Sequence, residues 1–156
     1  MSKFVVAEAN IEGDYRYSLT RVWESALSTV TFVLLNPSTA DAMQLDPTSR
    51  RCVAFAQRER FGGMVIKNLY AYRSTSPAVV RATSAPAGPQ NDRALAQITG
   101  PVIAGWGTNA EPARVARAVT LLPPLRALSI TKAGRQEHPL YVPATSPLGV
   151  WPSTAT

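Results

Sequence analysis

Runs of apolar residues in two different patterns predict the first strands of the fold. Residues 15–23 alternate between polar and apolar side chains, which is typical of a half-exposed strand and predicts one at the edge of a sheet. Residues 29–35 form a nearly continuous β-branched and apolar run instead, as expected of a strand that helices cover on both faces. This second pattern indicates a parallel sheet in the interior of the protein.

Helix signals follow the predicted interior strands. Asp46 and Pro47 are typical of a helix start, as capping residue and first-turn proline, and the helix they predict runs to Gly62-Gly63. Asn91 is expected to cap a later helix in the same way. Further helices are predicted at residues 91–98 and 111–122, and further strands at residues 64–69, 102–107 and 126–130. This alternation predicts an α/β protein, specifically a three-layer α/β/α sandwich with a mostly parallel central sheet.

The composition is that of one compact domain. The chain has 156 residues, of which 46% are hydrophobic and 17% are charged, enough for a sizeable core. Residues 74–89 are rich in Ser, Ala and Pro and predict a long surface connection, so residues 1–156 are expected to form a single domain with its core at about residues 15–151. No apolar run suits a membrane span or a secretory signal, so a cytoplasmic location is expected.

A single cysteine and a single histidine limit the chemistry that the chain can support. Cys52 has no partner for an internal disulfide, and Cys52 and His138 are too few for most recognisable metal motifs. We therefore expect no structural metal. Cys52 also shares a helix face with Phe55 and Ala56, which favours a place in the core over an activated thiol.

The excess of positive charge favours a polyanionic partner. The 16 Lys and Arg residues outnumber the 10 Asp and Glu residues, which gives a net charge of +6, and 13 of the 16 cations are Arg. Arg binds phosphate bidentately and stacks on bases, so nucleic acid is a natural partner. The ordinary alternative, a basic surface without such a partner, stays open.

Polar residues collect where the predicted parallel strands end. In open parallel sheets, ligands bind beyond the carboxyl ends of the strands because loops and helix N-termini meet there. The groups expected there are Asn36 or His138 for a water or a developing anion, Asn68 for the edge of a base, Tyr70, Tyr72 or Trp106 for its face, and Arg73 and Lys132 for phosphate. Structural roles also stay open, in turns for the asparagines, in the core for the tryptophan and at the surface for the histidine.

Six segments of the chain together resemble a known family. They are LLNPSTAD at residues 34–41, DPTSRRC at 46–52, KNLYAYR at 67–73, GPQND at 88–92, AGWG at 104–107, and TK at 131–132 followed by HPLY at 138–141. Over about residues 15–151 this set is similar to a bacterial and phage family known only as a domain of unknown function, the DUF1643 type. The family name implies no chemistry.

The layout also resembles, more distantly, the uracil-DNA-glycosylase superfamily. There, a motif with Asp-Pro or Asn-Pro follows a buried strand, an Asn ends the middle strand, and the last motif begins with His-Pro. The matching positions here are Asn36-Pro37, Asn68 and His138-Pro139. The resemblance implies that Asn36 positions the attacking water, Asn68 recognises the flipped base, and His138 stabilises the departing base anion. It also implies that Leu140 or Tyr141 enters the duplex as a wedge.

The resemblance implies a monofunctional DNA glycosylase without metal or cofactor. A hydroxymethylated or sugar-decorated pyrimidine of phage DNA is the expected substrate, which implies a role in defence against phages. Asp41 and Asp46, two further carboxylates of the first loop, are expected to act as a base or to bind hydroxyls of such a substrate. The residues expected to bind DNA phosphates are Ser38, Thr39, Arg73 and Lys132.

Two alternatives stay open. Asn36 stands where the strongest uracil enzymes have Asp, so a nucleic-acid-binding domain that has lost catalysis also fits the chain. An enzyme that processes free nucleosides or nucleotides on the same fold is the other alternative. Salt dependence distinguishes them, because neutralising several phosphates of a polymer makes its binding fall steeply with salt.

Overall fold

The computed structural model describes residues 3–127, 138–139 and 148–151. Within them the strands are β1 (Val6–Glu12), β2 (Tyr15–Val22), β3 (Thr29–Leu34), β4 (Gly63–Asn68), β5 (Val102–Ala104), β6 (Leu125–Ala127) and β7 (Gly149–Trp151). The helices are α1 (Pro47–Arg58), α2 (Pro77–Ala82), α3 (Asn91–Ala96) and α4 (Pro112–Leu121). Residues 128–130, the end of the last predicted strand, lie outside the described part of the chain.

The described strands form one mixed sheet in the order β1-β2-β4-β3-β5-β6-β7. Its four inner strands, β4, β3, β5 and β6, are mutually parallel, whereas β1, β2 and β7 run antiparallel to their neighbours. The prediction of a mostly parallel sheet is therefore correct for the centre and wrong for the flanks. The physical reason on one flank is the two-residue turn between β1 and β2, where Gly13 has a φ of 60°. Such a short turn joins only antiparallel strands.

Strand β2 lies inside the sheet, so the prediction that it forms an edge is wrong. It pairs with β1 on one side and with β4 on the other. The edge strand is β1, whose residues are all partly or fully exposed and which includes two glutamates and an asparagine. This weak apolar pattern is the reason why the sequence did not predict β1.

Helices α1 and α4 confirm the sequence predictions. Helix α1 begins after Asp46, whose Oδ1 accepts a hydrogen bond from the backbone N of Ser49 at 2.8 Å. Helix α4 lies within the predicted range of residues 111–122. The predicted connection at residues 74–89 contains one short helix, α2, which starts at Pro77 after the capping residue Ser76.

Asn91 is not the cap of α3, and this prediction is wrong. It is the first residue of the helix and is buried, while Gln90 occupies the cap position without a side-chain hydrogen bond. The Nδ2 of Asn91 instead donates to the backbone oxygens of Asn68 at 2.7 Å and Leu69 at 3.1 Å. The side chain therefore ties the start of α3 to the end of β4.

Two apolar clusters cover the two faces of the sheet. Alternate residues of β3, such as Phe32, pack with α1 on one face, and the residues between them, such as Val33, pack with α2, α3 and α4 on the other. The three-layer arrangement is thus confirmed. Cys52 is fully buried in the α1 cluster, where burial raises the pKa of its thiol and favours the neutral form. Among the described helices, none combines the length and the apolarity that crossing a bilayer requires.

Candidate functional site

A cavity of about 560 Å³ lies at the carboxyl ends of β3 and β5. The segments that follow these two strands form two of its walls, and the N-terminus of α1 forms another. Its volume is within the range of about 300–1,000 Å³ that is common for small-molecule sites. Five residues that the sequence predicted for the site line this cavity: Asn36, Ser38, Asp46, Trp106 and His138.

Asp46 places a carboxylate at the wall of the cavity. Its Oδ1 caps α1, accepting from the backbone N of Ser49 at 2.8 Å and from Ser49 Oγ at 2.7 Å. The described residues donate no hydrogen bond to its Oδ2. Because Ser49 fixes the first oxygen, the second remains as an acceptor for a ligand.

Asn36 combines a structural role with an acceptor for the cavity. Its Nδ2 donates to the backbone oxygens of Pro37 at 3.0 Å and Ser74 at 2.7 Å. These two carbonyls decide the orientation of the amide, because the opposite orientation would place oxygen against oxygen. The Oδ1 accepts from none of the described residues, so the group that Asn36 offers to a ligand is a fixed acceptor.

His138 reaches the cavity because two glycines leave room for its segment. A Cβ built on Gly105 would lie 3.0 Å from Pro139 Cδ, and one built on Gly107 would lie 3.6 Å from His138 Cβ. Gly107 also has a φ of 78°, which side chains disfavour. Burial lowers the pKa of His138, and the charge of Asp46 opposes this shift. The imidazole is therefore mainly neutral at pH 7.

Two of the three predicted stacking residues, Trp106 and Tyr70, have different surroundings. Trp106 is 3% exposed and packs with the cluster on the α2–α4 face, yet it also lines the cavity, so both of its predicted roles are compatible with its position. Tyr70 does not line the cavity. It borders a narrow crevice that shares Asn36 with the cavity wall, and its hydroxyl accepts from the backbone N of Glu111 at 3.2 Å.

Asn68 is buried and does not line the cavity. It is 1% exposed, and neither Oδ1 nor Nδ2 of its side chain has a hydrogen-bond partner among the described residues. Strand alternation places it on the same face as Met64 and Ile66, beside α1. A buried amide without partners costs about 1–3 kcal/mol, so this position is expensive for the fold.

Asp41 also lies apart from the cavity. Its Oδ1 accepts from the backbone N of Met43 at 2.8 Å and of Gln44 at 3.0 Å, and these hydrogen bonds lower the pKa of its carboxyl group. The side chain closes a tight turn in the loop between β3 and α1. Its position indicates a structural role for the carboxylate, whereas Asp46 in the same loop faces the cavity.

A groove of about 380 Å³ adjoins the cavity and contains three of the predicted phosphate-binding residues, Ser38, Thr39 and Arg73. It shares Ser38, Ser74 and Thr75 with the cavity wall. The Nε of Arg73 donates to the backbone oxygen of Ser38 at 3.4 Å, which fixes the guanidinium beside both spaces. Lys132, Leu140 and Tyr141 lie outside the described residues.

Two buried arginines of β2 support the site, and the sequence did not indicate them. The pairing of β1 with β2 shifts between Asn10 and Ile11, so that the strand bulges next to Arg16. Arg16 is 2% exposed, donates to the backbone oxygen of Ala40 at 2.9 Å, and has its pKa lowered by burial to about 10. Arg21, also 2% exposed, donates to the backbone oxygen of Asp41. Both arginines therefore hold the loop that carries Ser38 and Asp46.

Five further polar residues line the cavity wall, and the sequence indicated no individual role for any of them: Thr48, Ser74, Thr75, Thr108 and Asn109. Their hydroxyl and amide groups are uncharged and can form hydrogen bonds with the hydroxyls and ring atoms of a sugar or a base. In the described ranges, no three His, Cys, Asp or Glu side chains lie close enough together to hold a metal ion.

The sheet and the cavity define an α/β protein with a cavity at the carboxyl ends of two of its parallel strands. A family model with the description "Protein of unknown function (DUF1643)" matches residues 16–140, and the chain belongs to this family. The search of curated proteins and the search of solved structures find no match. The likeness to the uracil-DNA-glycosylase superfamily stays a prediction.

Proposed function

We propose that the protein is a DNA glycosylase that hydrolyses the N-glycosidic bond of an extruded, modified pyrimidine and leaves an abasic site. The observation that carries the proposal is the cavity wall, to which Asp46 contributes a carboxylate, Asn36 a fixed acceptor and His138 a neutral imidazole. Asp46 and Asn36 provide two acceptors for a water, and His138 provides a donor for a leaving base. The proposed substrate is a hydroxymethylated or sugar-decorated base of phage DNA. The proposed biological role is defence against phages.

The proposed reaction divides the work between these three residues. The bond between the sugar C1′ and the base nitrogen breaks, and its electron pair leaves with the base. Asn36 Oδ1 orients a water that attacks C1′, and the Oδ2 of Asp46 accepts the proton that this water loses. His138 donates a hydrogen bond to the anionic base, which then takes a proton from solvent. An oxocarbenium-like sugar needs electrostatic support more than a strong nucleophile, so Asn at the water position is sufficient.

Contacts to the rest of the substrate come from neighbouring groups. Trp106 forms an apolar wall for a base, and the groove with Arg73 lies next to the cavity, where the phosphates of an extruded nucleotide would run. Asn68 belongs to the proposal because both of its side-chain polar atoms lack partners among the described residues. Base recognition by Asn68, stacking by Tyr70 and a phosphate contact from Lys132 come from the positions of these residues in the sequence, and a wedge at Leu140 or Tyr141 comes from the resemblance.

Strand cleavage of modified duplexes tests the proposal. Duplexes with uracil, hydroxymethylated or sugar-decorated pyrimidines are incubated with the protein and heated in alkali, which breaks the strand at abasic sites. We expect breaks with at least one modified base. Asp46→Asn should lower the rate by about 10²–10³ because it removes the base for water, while Asn still caps α1. The matched control is Glu24→Gln, an exposed carboxylate that lines neither the cavity nor the groove.

The outcomes separate the parts of the proposal. Intact strands with every modified duplex would overturn the glycosylase activity. Full activity of Asp46→Asn would show that the water loses its proton to another acceptor. Loss of activity in Glu24→Gln as well would point to a general effect of charge and not to the cavity.

One observation favours an enzyme that acts on free nucleosides or nucleotides. Among the described residues, Arg73 is the only Lys or Arg that lines the cavity or the adjoining groove. A polymer is usually bound by several cations, and the logarithm of its affinity then falls steeply with the logarithm of salt concentration. Salt-insensitive binding of a mononucleotide would support this second candidate, and a steep fall with duplex DNA would support the first.

A further inference from the structure

The loop between β3 and α1 exposes one large apolar side chain beside the cavity. Met43 is 91% exposed, more than any other large hydrophobic residue in the described part of the chain, of which the next is Val5 at 66%. Single exposed apolar residues are common on protein surfaces, so exposure alone indicates nothing. What distinguishes Met43 is the loop that carries it.

This loop is fixed on both sides of Met43. The Oδ1 of Asp41 accepts from the backbone N of Met43 and of Gln44, and the backbone N of Asp41 donates to the Gln44 oxygen at 3.0 Å. The buried guanidinium groups of Arg16 and Arg21 bind the carbonyls immediately before this turn. Burying charged groups is costly, and here they hold the backbone of Ala40 and Asp41, next to the turn that carries the exposed Met43. The fold therefore presents Met43 at a defined position.

The position of Met43 fits a contact with bases next to an extruded one. It precedes Asp46 on the cavity wall by three positions, so that their Cα atoms are at most about 11 Å apart. The groove with Arg73 lies beside Ser38, at the other end of the same loop. When the base of a nucleotide fills the cavity, it leaves a gap in the base stack of the duplex. This gap therefore lies close to the loop.

We propose that Met43 enters the base stack of duplex DNA and fills the space left by the extruded base. The inference rests on the proposed function and extends it, because it identifies the substrate as a duplex. Proteins that unstack bases insert apolar side chains, methionine among them. Leu140 and Tyr141, the wedge residues that the resemblance implies, lie outside the described residues, whereas Met43 belongs to the loop that carries Asp46.

The test uses a duplex with 2-aminopurine next to the modified pyrimidine, since 2-aminopurine becomes fluorescent when it loses its stacking partner. The wild-type protein should raise the fluorescence on binding. Met43→Ala should reduce this rise and should lower the cleavage rate of the duplex by about tenfold, while cleavage of the same sequence as a single strand stays unchanged. Met43→Leu should restore both signals. Val5→Ala, another exposed apolar residue, is the matched control and should behave as wild type.

The two readouts separate this proposal from the glycosylase proposal. Wild-type fluorescence and duplex cleavage in Met43→Ala would overturn the wedge and leave the glycosylase intact. Equal losses on duplex and single strand would also overturn it, because the residue would then act on the loop. A Met43-dependent fluorescence rise without cleavage of any substrate would support the wedge and overturn the glycosylase. Neither a rise nor cleavage with the wild-type protein would overturn both.

Discussion

Two buried asparagines near the end of β4 have opposite surroundings. Asn91, on the face that α2, α3 and α4 cover, donates from its Nδ2 to the backbone oxygens of Asn68 and Leu69. Asn68, on the α1 face, is equally buried, and neither polar atom of its side chain has a partner among the described residues. The first amide stabilises the connection between β4 and α3, whereas the second makes the fold less stable.

The same contrast extends to the two faces of the sheet. The α2–α4 face is covered by apolar residues such as Leu95 and Val102, and its buried asparagine is bonded to backbone. The α1 face buries Arg16, Arg21 and Asn68 in addition to its apolar cluster. The α1 face therefore buries two arginines almost completely, whereas the α2–α4 face buries fewer polar residues. Polar atoms without partners among the described residues occur on both faces, because Asn91 Oδ1 and Arg114 Nη2 also lack them.

The largest expected effect concerns His138, which belongs to the cavity and should affect the reaction more than the fold. His138→Ala should lower the rate of base release by about 10²–10³, because the negative charge that the imidazole stabilises develops mainly in the transition state. Single-turnover cleavage measures the rate, and binding of an uncleavable duplex measures the affinity. An equal loss of both would identify His138 as a ground-state contact.

Asn91→Ala should act on the fold alone. Two backbone oxygens lose their donor in this variant, so the free energy of unfolding should fall by about 1–3 kcal/mol. Denaturant titration gives this value, and cleavage per folded molecule should stay at the wild-type level. A variant with normal stability would remove the basis of the comparison between the two asparagines.

Asn68→Ala should show the opposite pattern. Because the amide has no partners in the described structure, its removal should leave the free energy of unfolding unchanged or raise it. If the amide recognises the base, discrimination between pyrimidines should fall by about tenfold, as expected for the loss of a buried polar contact. Competition between two modified duplexes measures this discrimination. A stability loss as large as that of Asn91→Ala would show that Asn68 stabilises the fold and does not recognise the base.

The smallest effect is a dependence of stability on pH. Burial lowers the pKa of His138 below its ordinary value of 6.5, so the unfolded chain binds this proton at a higher pH than the folded chain does. The free energy of unfolding should therefore fall as the pH drops below about 6.5, until the folded imidazole is protonated too. Thermal unfolding between pH 7 and pH 5 measures the change. In His138→Ala this part of the pH dependence should be absent.

Local signals in the sequence predicted the elements around the cavity. Asp46 and Pro47 define the start of α1 by capping and by a fixed φ angle, both of which depend on neighbouring residues only. The continuous apolar run of β3 likewise indicated a strand buried on both faces. Because ligand sites of such sheets lie at the carboxyl ends of the strands, the positions of Asn36 and Trp106 on the cavity wall followed from these elements.

Features that depend on pairing between distant residues could not be predicted. The burial of Arg16 requires the shift in register between β1 and β2, and no local pattern encodes that shift. Ser74 reaches the cavity because its backbone oxygen accepts from Asn36, 38 residues earlier. Asn68 was expected at the site because it ends a strand there, but strand alternation directs its side chain to the α1 face and not to the cavity wall.

The central position of β3 also determines when the site can form during synthesis. Residue pairs such as Thr29 with Gly63 and Thr31 with Val102 join β3 to strands made much later. The hairpin of β1 and β2 can form as soon as it leaves the ribosome, whereas the cavity needs the segment after β5 and His138. At about 5–20 residues per second, these late segments follow β3 by several seconds. A nascent chain that stops before β5 therefore has no complete cavity, and a ligand can stabilise only the later stages of folding.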